Sequence, residues 1–151
     1  MSPRIKSDAK IQLLRSIPLF SKCNSRQLRR VSGLTVALEV PEGEVLCREG
    51  EVGTEFFVIV DGEASVKVQG RQRATIGPGG FCGELALLDG GPRVASVTTT
   101  VPSRVLVLSR REFEDLLRIA PEIAVSMLTA MAHRLREADL APRERRVPFG
   151  A

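Results

Sequence analysis

The stretch FCGELALLDGGPRVASV, residues 81–97, follows a GPGG turn and contains three separable elements. Gly83 permits a tight turn into a short helix over 84–88, whose free backbone N–H groups and positive dipole end favour an anion. Arg93 follows across a glycine-rich loop, so the chain can fold back and return its guanidinium to that anion. Glu84 would repel a phosphate but can accept hydrogen bonds from a sugar hydroxyl. The stretch therefore predicts a pocket for a sugar phosphate or a nucleotide.

Extended segments broken by turns surround this stretch, over residues 34–108. The turn signals PEGE, REGEVG, DGE and GPGG recur at the spacing of about eight to twelve residues that is typical of a sandwich, roll or barrel. FFVIV, residues 56–60, is predicted to be a buried strand. ASVKV, residues 64–68, places Val66 and Val68 on one face of another strand. The region indicates a mainly β fold.

Two helical segments precede the β region. Residues 5–20 have apolar side chains at helical spacing, and Pro18 stops the helix after about three turns. Asn24 or Ser25 can cap a second, short helix, with Gln27 placed to reach back to Asn24. These two N-terminal helices are expected to cover an underlying structure.

Helical periodicity returns after residue 108. Ser109 and Glu112 form a capping-box pattern, and Pro121 begins a last helix. That helix carries a broad apolar stripe, which must be covered by packing on the β core, by folding over a ligand or a partner helix, or by both. The stripe consists of Ile123, Met127, Met131 and Leu135, with Ala124, Leu128 and Ala132 beside them. We predict one domain over residues 1–140, followed by a flexible basic tail over 141–151.

The basic charge of the chain does not by itself indicate nucleic-acid binding. The formal net charge is +4 and the isoelectric point is about 9.4. The cationic residues are scattered, and the chain has no Trp or Tyr to stack on bases. The one dense cluster, formed by Arg143, Arg145 and Arg146, lies in the tail. This distribution favours a solvated surface over a nucleic-acid interface.

The cysteine pattern and the N-terminus indicate a cytoplasmic chain. The three cysteines are widely spaced and are accompanied by one histidine, His133, so they match no metal site and are interpreted as reduced thiols. They are Cys23, Cys47 and Cys82, the last interpreted as a packed thiol. The N-terminus lacks a secretory signal, and no apolar run approaches the roughly 20 residues of a membrane span. We expect no metal, no cofactor and no membrane span.

A family resemblance gives these patterns a common interpretation. The pattern Phe-x-Gly-Glu-Leu-Ala-Leu-Leu, a short loop, and Pro-Arg-x-Ala-Ser-Val resembles the phosphate-binding cassette of cyclic-nucleotide-binding domains, the type found in the catabolite activator protein and in regulatory subunits of protein kinase A. LFSKCNSRQL (19–28), VPEGEVLCREGEVGTEFFVIVDGEASV (40–66) and MAHRLREAD (131–139) resemble the helical bundle, first strands and lid helix of that family. The resemblance covers residues 16–139.

The resemblance implies both a fold and a phosphate site. The fold is mainly β with flanking α: a double-stranded β-helix, or jelly-roll-like β-roll, with an N-terminal helical bundle and a C-terminal lid helix. Arg93 would neutralise the charge of the cyclic phosphate. Backbone N–H groups near the phosphate would come from Gly83, Leu85 and Ala86, with a further amide from Ala95 or Val94.

The resemblance also assigns the ribose and the base. Glu84 would accept a hydrogen bond from the ribose 2′-OH, so deoxyribose analogues should bind poorly. Val66 and Ile76 would line an apolar wall against the base. The lid helix offers three polar residues that can meet the base or remain solvated: Arg134, Arg136 and Asp139.

Val94 bears on the choice of ligand. Its side chain lacks the hydroxyl that could hydrogen-bond a guanine amino group, so cAMP is favoured as the ligand and cGMP is the second candidate. The same valine can instead crowd the phosphate and mark a domain that has lost ligand binding. The sequence leaves both interpretations open.

Two functions of different classes follow from the resemblance. The first is a non-catalytic receptor that binds a cyclic nucleotide and signals through its lid helix to an unidentified effector protein. The second is a degenerate domain without a ligand, which acts as a protein-interaction module or as a dimerisation module that pairs with a second copy through residues 121–139. The pocket offers an arginine and amides rather than a metal or a base aimed at phosphorus, so no enzyme is predicted. About a dozen residues follow the last helix, too few for a helix-turn-helix, so no DNA-binding domain is expected in this chain.

Overall fold

The stretch FFVIV, residues 56–60, buries both of its faces in the computed structural model of the chain. Phe56, Val58 and Val60 belong to an apolar cluster shared with the helices. Phe57 and Ile59 belong to a second apolar cluster between two β-sheets. Because successive side chains of a strand point to opposite faces, a continuous apolar strand needs a covering layer on each side. The molecule supplies helices on one side and a second sheet on the other.

The structure describes residues 7–140, and their side chains over 9–138. The predicted tail at 141–151 and the start of the predicted first helix at Ile5 lie outside the described residues. The helices are α1 (Ser7–Ser16), α2 (Ser25–Leu34), α3 (Glu84–Asp89), α4 (Arg110–Ile119) and α5 (Pro121–Leu140), with a 3-10 turn at Pro18–Phe20. The strands are β1 (Val36–Val40), β2 (Val45–Cys47), β3 (Glu55–Asp61), β4 (Ala64–Val68), β5 (Arg71–Ile76), β6 (Phe81–Cys82), β7 (Ser96–Thr99) and β8 (Ser103–Ser109).

Two four-stranded antiparallel sheets form the β-roll. Their strand orders are β1-β8-β3-β6 and β2-β7-β4-β5. Strand β8 lies between β1 and β3 and pairs Val107 with both Val36 and Phe57. The predicted mainly β fold, with helices at both ends, is confirmed. Within residues 7–140 no helix has the length and the hydropathy that a membrane span requires.

The helix starts that the sequence predicts are present as full capping boxes. The Asn24 side chain accepts from the Gln27 N–H at 2.8 Å, and the Gln27 side chain accepts from the Asn24 N–H at 2.9 Å. Ser109 and Glu112 exchange the same pair of bonds at the start of α4. Pro121 begins α5 as predicted. Local capping chemistry therefore fixes where the helical layer begins.

The apolar stripe of the last helix is covered over only part of its length. Ile123 and Met127 are buried in the cluster shared with the helices, and Met131 packs against it. Leu135, the fourth residue of the predicted stripe, is 65% exposed, and Leu128 beside it is 63% exposed. Packing within the chain therefore covers only the first part of the predicted stripe, because the second half of α5 extends beyond the helical cluster. Coverage of the remainder by a ligand or a partner helix stays a prediction.

Gly62 provides a test of the β-roll. Its φ is +103°, and a Cβ atom there would lie 2.8 Å from the Ser103 Cα. We expect Gly62→Ala to lower the free energy of unfolding by about 2–4 kcal/mol, because it adds backbone strain to a steric clash. Gly70→Ala is the matched control, since Gly70 has a φ of +77° and open space around it. That control should lose about 1 kcal/mol in urea unfolding; equal losses for both variants would contradict the account.

Candidate functional site

A cavity of about 430 Å³ opens between the second sheet, the 81–97 stretch and helix α5. Its volume lies within the range of about 300–1,000 Å³ of small-molecule sites. It is lined by Cys47, Val66, Ala74, Thr75, Ile76, Gly77, Pro78, Gly80, Phe81, Cys82, Gly83, Glu84, Leu85, Ala86, Arg93, Val94, Ala95, Val97, Arg134 and Glu137. The structure thus brings together all nine residues that the sequence assigns to phosphate, ribose and base.

Arg93 places a buried cation beside the cavity. The residue is 8% exposed, and its Nη1 and Nη2 donate to the carbonyls of Gly83 at 3.1 Å and Glu55 at 2.7 Å. Its backbone is fixed by two further bonds, from the Arg93 N–H to Glu51 O and from the Gly50 N–H to Arg93 O, both at 2.8 Å. Among residues 7–140, Arg93 forms no salt bridge within 4.0 Å. A buried charge without a counter-charge favours binding of an anion.

Two glycines make room for this guanidinium. A Cβ at Gly83 would lie 2.6 Å from the Arg93 Nη1, and the φ of Gly83 is +93°. A Cβ at Gly53 would lie 3.0 Å from the Arg93 Cζ and 2.4 Å from the Ala86 Cβ. Gly83 is predicted from the sequence, whereas Gly53 is not. Close approach of Gly53 to residues far along the chain leaves no local signal.

Glu84 places a buried carboxylate in the same cavity. It is 4% exposed, and its Oε1 has no hydrogen-bond partner among the residues that the structure describes. Its Oε2 lies 3.4 Å from Arg134 Nη1. Burial raises the pKa of Glu84, and the charges of Arg134 and Arg93 oppose that rise. A buried acceptor without a donor is energetically costly, so the cavity favours a ligand that brings a hydroxyl to this oxygen.

Helix α5 reaches the mouth of the cavity through Arg134. The Arg134 Nη2 donates to Phe81 O at 2.7 Å, and the guanidinium lies 4.4 Å from the centroid of the Phe81 ring. Of the three polar residues predicted for the lid, Arg134 lines the cavity and Arg136 does not. The side chain of Asp139 lies outside the described residues. Glu137 was missed, although its position three residues after Arg134 puts it on the same helix face.

Two thiols belong to the cavity wall. Cys47 and Cys82 are buried and free. A hydrogen bond with the Cys47 thiol and burial raise the pKa of Cys82 well above its usual value. Cys82 is therefore a packed thiol, as predicted.

Comparison with known proteins identifies the family. A family model described as the cyclic nucleotide-binding domain matches residues 37–119. A cyclic nucleotide-gated potassium channel of Mesorhizobium japonicum is 38% identical over 124 residues, which are 82% of this chain and 34% of the channel. A cAMP-dependent protein kinase regulatory subunit of Mycosarcoma maydis is 35% identical over 115 residues, 70% of this chain and 22% of that protein.

The solved structures agree with the sequence relatives. The catabolite activator protein of Thermus thermophilus superposes with a TM-score of 0.71 at 30% identity, over 82% of this chain and 60% of that one. The chain belongs to the cyclic nucleotide-binding domain family. It spans about a third or less of the length of the two curated relatives named above.

The raised pKa of Glu84 predicts a pH dependence of stability. The folded chain holds the Glu84 proton to a higher pH than the unfolded chain, so the stability linked to this proton is present at low pH and is lost as pH rises through the folded pKa. We expect Glu84→Gln to gain free energy of unfolding, relative to the wild type, between about pH 4 and about pH 7.

Urea unfolding of the ligand-free chain at both pH values measures this gain. Glu114→Gln, which removes an exposed carboxylate on α4, is the matched control. The measured quantity is the difference in the free energy of unfolding between Glu84→Gln and the wild type. If this difference is the same at both pH values, or smaller at pH 7, burial does not dominate the environment of Glu84.

Proposed function

We propose that this chain binds a cyclic nucleotide, cAMP in preference to cGMP, and acts as a non-catalytic receptor. One observation carries the proposal: within the part of the chain that the structure describes, a buried guanidinium without a carboxylate partner shares a cavity with a buried carboxylate oxygen without a donor. A ligand that joins an anion to a hydroxyl-bearing sugar supplies what both groups lack. The family relationship narrows that ligand to a cyclic nucleotide.

The phosphate is assigned to Arg93. Its guanidinium is held by two backbone carbonyls, which orient it without neutralising it. The single negative charge of a cyclic phosphodiester would complete the pairing. The proposed additional donors are the backbone N–H groups of Gly83, Leu85 and Ala86, with one more from Ala95 or Val94.

The ribose is assigned to Glu84 and the base to the apolar wall. The unpartnered Oε1 of Glu84 would accept from the 2′-OH. Val66 and Ile76 line the cavity on strands β4 and β5. Val94 is 60% exposed, so its side chain lies toward the rim rather than filling the cavity. That position supports an active pocket over the crowded one, and the absence of a hydroxyl at Val94 supports cAMP.

The receptor role rests on helix α5. Arg134 and Glu137 stand at the cavity mouth, so occupancy of the cavity changes the environment of the helix that carries them. A ligand shifts the equilibrium between lid positions only by its difference in affinity for them. The named relatives are a nucleotide-gated channel and a kinase regulatory subunit, which supports control of an effector protein. We place this receptor in the cytoplasm, where its free thiols remain reduced.

Arg93→Ala tests the phosphate assignment. The variant should bind cAMP at least about tenfold more weakly in calorimetry, because a hydrogen bond to a charged group contributes about 1.5–3 kcal/mol. Arg93→Lys should recover part of the loss, since it restores the charge without the planar fork. Arg29→Ala, an exposed cation on α2, is the control. Unchanged affinity in a folded Arg93→Ala variant would refute the assignment.

The second candidate function is self-association through α5. Val125, Leu128 and Leu135 are exposed on this helix, at 55%, 63% and 65%. Their spacing of three and seven residues places them along one seam, as in paired helices. This surface supports the dimer proposed for residues 121–139.

Light scattering after size exclusion tests that candidate. If α5 pairs with a second copy, the wild type should be a dimer and Leu128→Glu a monomer, with Arg29→Glu as a charge-reversal control on α2. A wild-type monomer with and without cAMP would eliminate the dimer. A dimer that binds neither cAMP nor cGMP would replace the receptor with the interaction module.

A further inference from the structure

Arg110 begins helix α4, and its guanidinium contacts the backbone of two distant segments. Its Nη1 donates to Leu87 O at 3.0 Å, and its Nη2 donates to Gly53 O at 3.3 Å and to Ala86 O at 3.5 Å. Its own N–H donates to Thr54 O at 3.1 Å. Arg110 does not line the cavity. One side chain therefore ties α4 to the β2–β3 loop and to α3 from behind the site.

The position of this cation is costly unless its contacts compensate. A positive charge in the first turn of a helix opposes the helix dipole. Arg110 places its charge instead at the C-terminal end of α3, where the helix dipole is negative and where the Ala86 carbonyl also accepts from the Gly90 N–H at 3.0 Å. The N–H of Gly91, which would close the bond to Leu87 O in a longer helix, donates to Asp89 Oδ1 at 2.8 Å. The Leu87 carbonyl is thus available to Arg110.

The segments that Arg110 joins are those that surround Arg93. Gly53 packs so closely on Ala86 and on the Arg93 guanidinium that a Cβ at Gly53 would lie 2.4 Å from the Ala86 Cβ. Arg110 holds the carbonyls of both Gly53 and Ala86. Loss of this link would free the loop and α3 to separate, and the space that confines Arg93 would widen.

We propose that Arg110 is a positioning residue for the anion-binding half of the cavity. It acts through Gly53 and helix α3, which it fixes against each other, and thereby sets the place of the Arg93 guanidinium. This inference rests on the proposed function, because it concerns the affinity for the phosphate of a cyclic nucleotide. It adds a residue outside the 81–97 stretch that the ligand does not touch.

The test compares neighbouring arginines on α4. Arg110→Gln removes the fork, Arg110→Lys keeps a donor and the charge, and Arg111→Gln removes an exposed cation from the next position as the matched control. Calorimetric titration measures the affinity of each full-length variant for cAMP, and a parallel titration followed by NMR measures the affinity for adenosine, which lacks the phosphate. Hydrogen exchange of the ligand-free variants follows the amides of residues 84–90.

The expected results separate positioning from a general structural role. Arg110→Gln should bind cAMP about tenfold more weakly, whereas its affinity for adenosine should change by less than about twofold. Its amide hydrogens should exchange faster only in residues 84–90 and in the β2–β3 loop. Arg110→Lys should recover part of the affinity, and Arg111→Gln should match the wild type. In the Arg93→Ala background, Arg110→Gln should cause little further loss, because both changes act on one interaction.

Two outcomes would overturn the inference. One is cAMP affinity of Arg110→Gln within about twofold of Arg111→Gln, and the other is an equal loss for cAMP and adenosine. If the wild type binds no cyclic nucleotide, the proposed function fails, and the exchange data still decide the positioning: unchanged exchange at residues 84–90 in Arg110→Gln would reject it, whereas selective acceleration would uphold it.

Discussion

The arrangement of this molecule depends on holding one guanidinium out of water without neutralising it. Arg93 is bound by the carbonyls of Gly83 and Glu55 and pinned through its own backbone to the β2–β3 loop. Gly53 and Gly83 are both needed as glycines, because a Cβ at either position would meet the Arg93 side chain. The β-roll brings these segments together, and the cyclic phosphate that we propose as ligand would be the missing partner. The backbone contacts that join these segments are therefore the same contacts that position Arg93 in the site.

The helical layer meets this site at two points. From α5, Arg134 reaches the Glu84 carboxylate and the Phe81 carbonyl at the mouth of the cavity. From α4, Arg110 holds the carbonyls at the far end of α3. Helix α3 is therefore held at both ends by arginines of the C-terminal helices. Because Oε2 of Glu84 faces Arg134 while Oε1 is unpartnered, a ribose hydroxyl and the lid helix would share a single carboxylate. Under the proposed function, that sharing would couple ligand binding directly to helix α5.

The sequence predicts the β-roll, the capped helices and the 81–97 stretch, because turns, caps and contiguous motifs depend on residues that are neighbours along the chain. The roles of Gly53, Glu137 and Arg110 could not be predicted in this way. Gly53 matters only through its contact with residues more than 30 positions away. Arg110 lies at the positive end of the dipole of α4, but its guanidinium donates to a carbonyl at the end of α3. Periodicity places Leu135 on the apolar stripe of α5, but it shows only which residues share a face and not where the covering layer of the same chain ends.

The division of roles between Arg93 and Glu84 is the central claim, and one calorimetric comparison tests it directly. cAMP and 2′-deoxy-cAMP, which share the phosphate and base, are titrated into the wild type and into Glu84→Gln. The account predicts that the wild type binds cAMP at least about tenfold more tightly than the deoxy analogue and that this ratio falls toward one in Glu84→Gln. Equal affinity of the wild type for both ligands, or binding of neither, would contradict it.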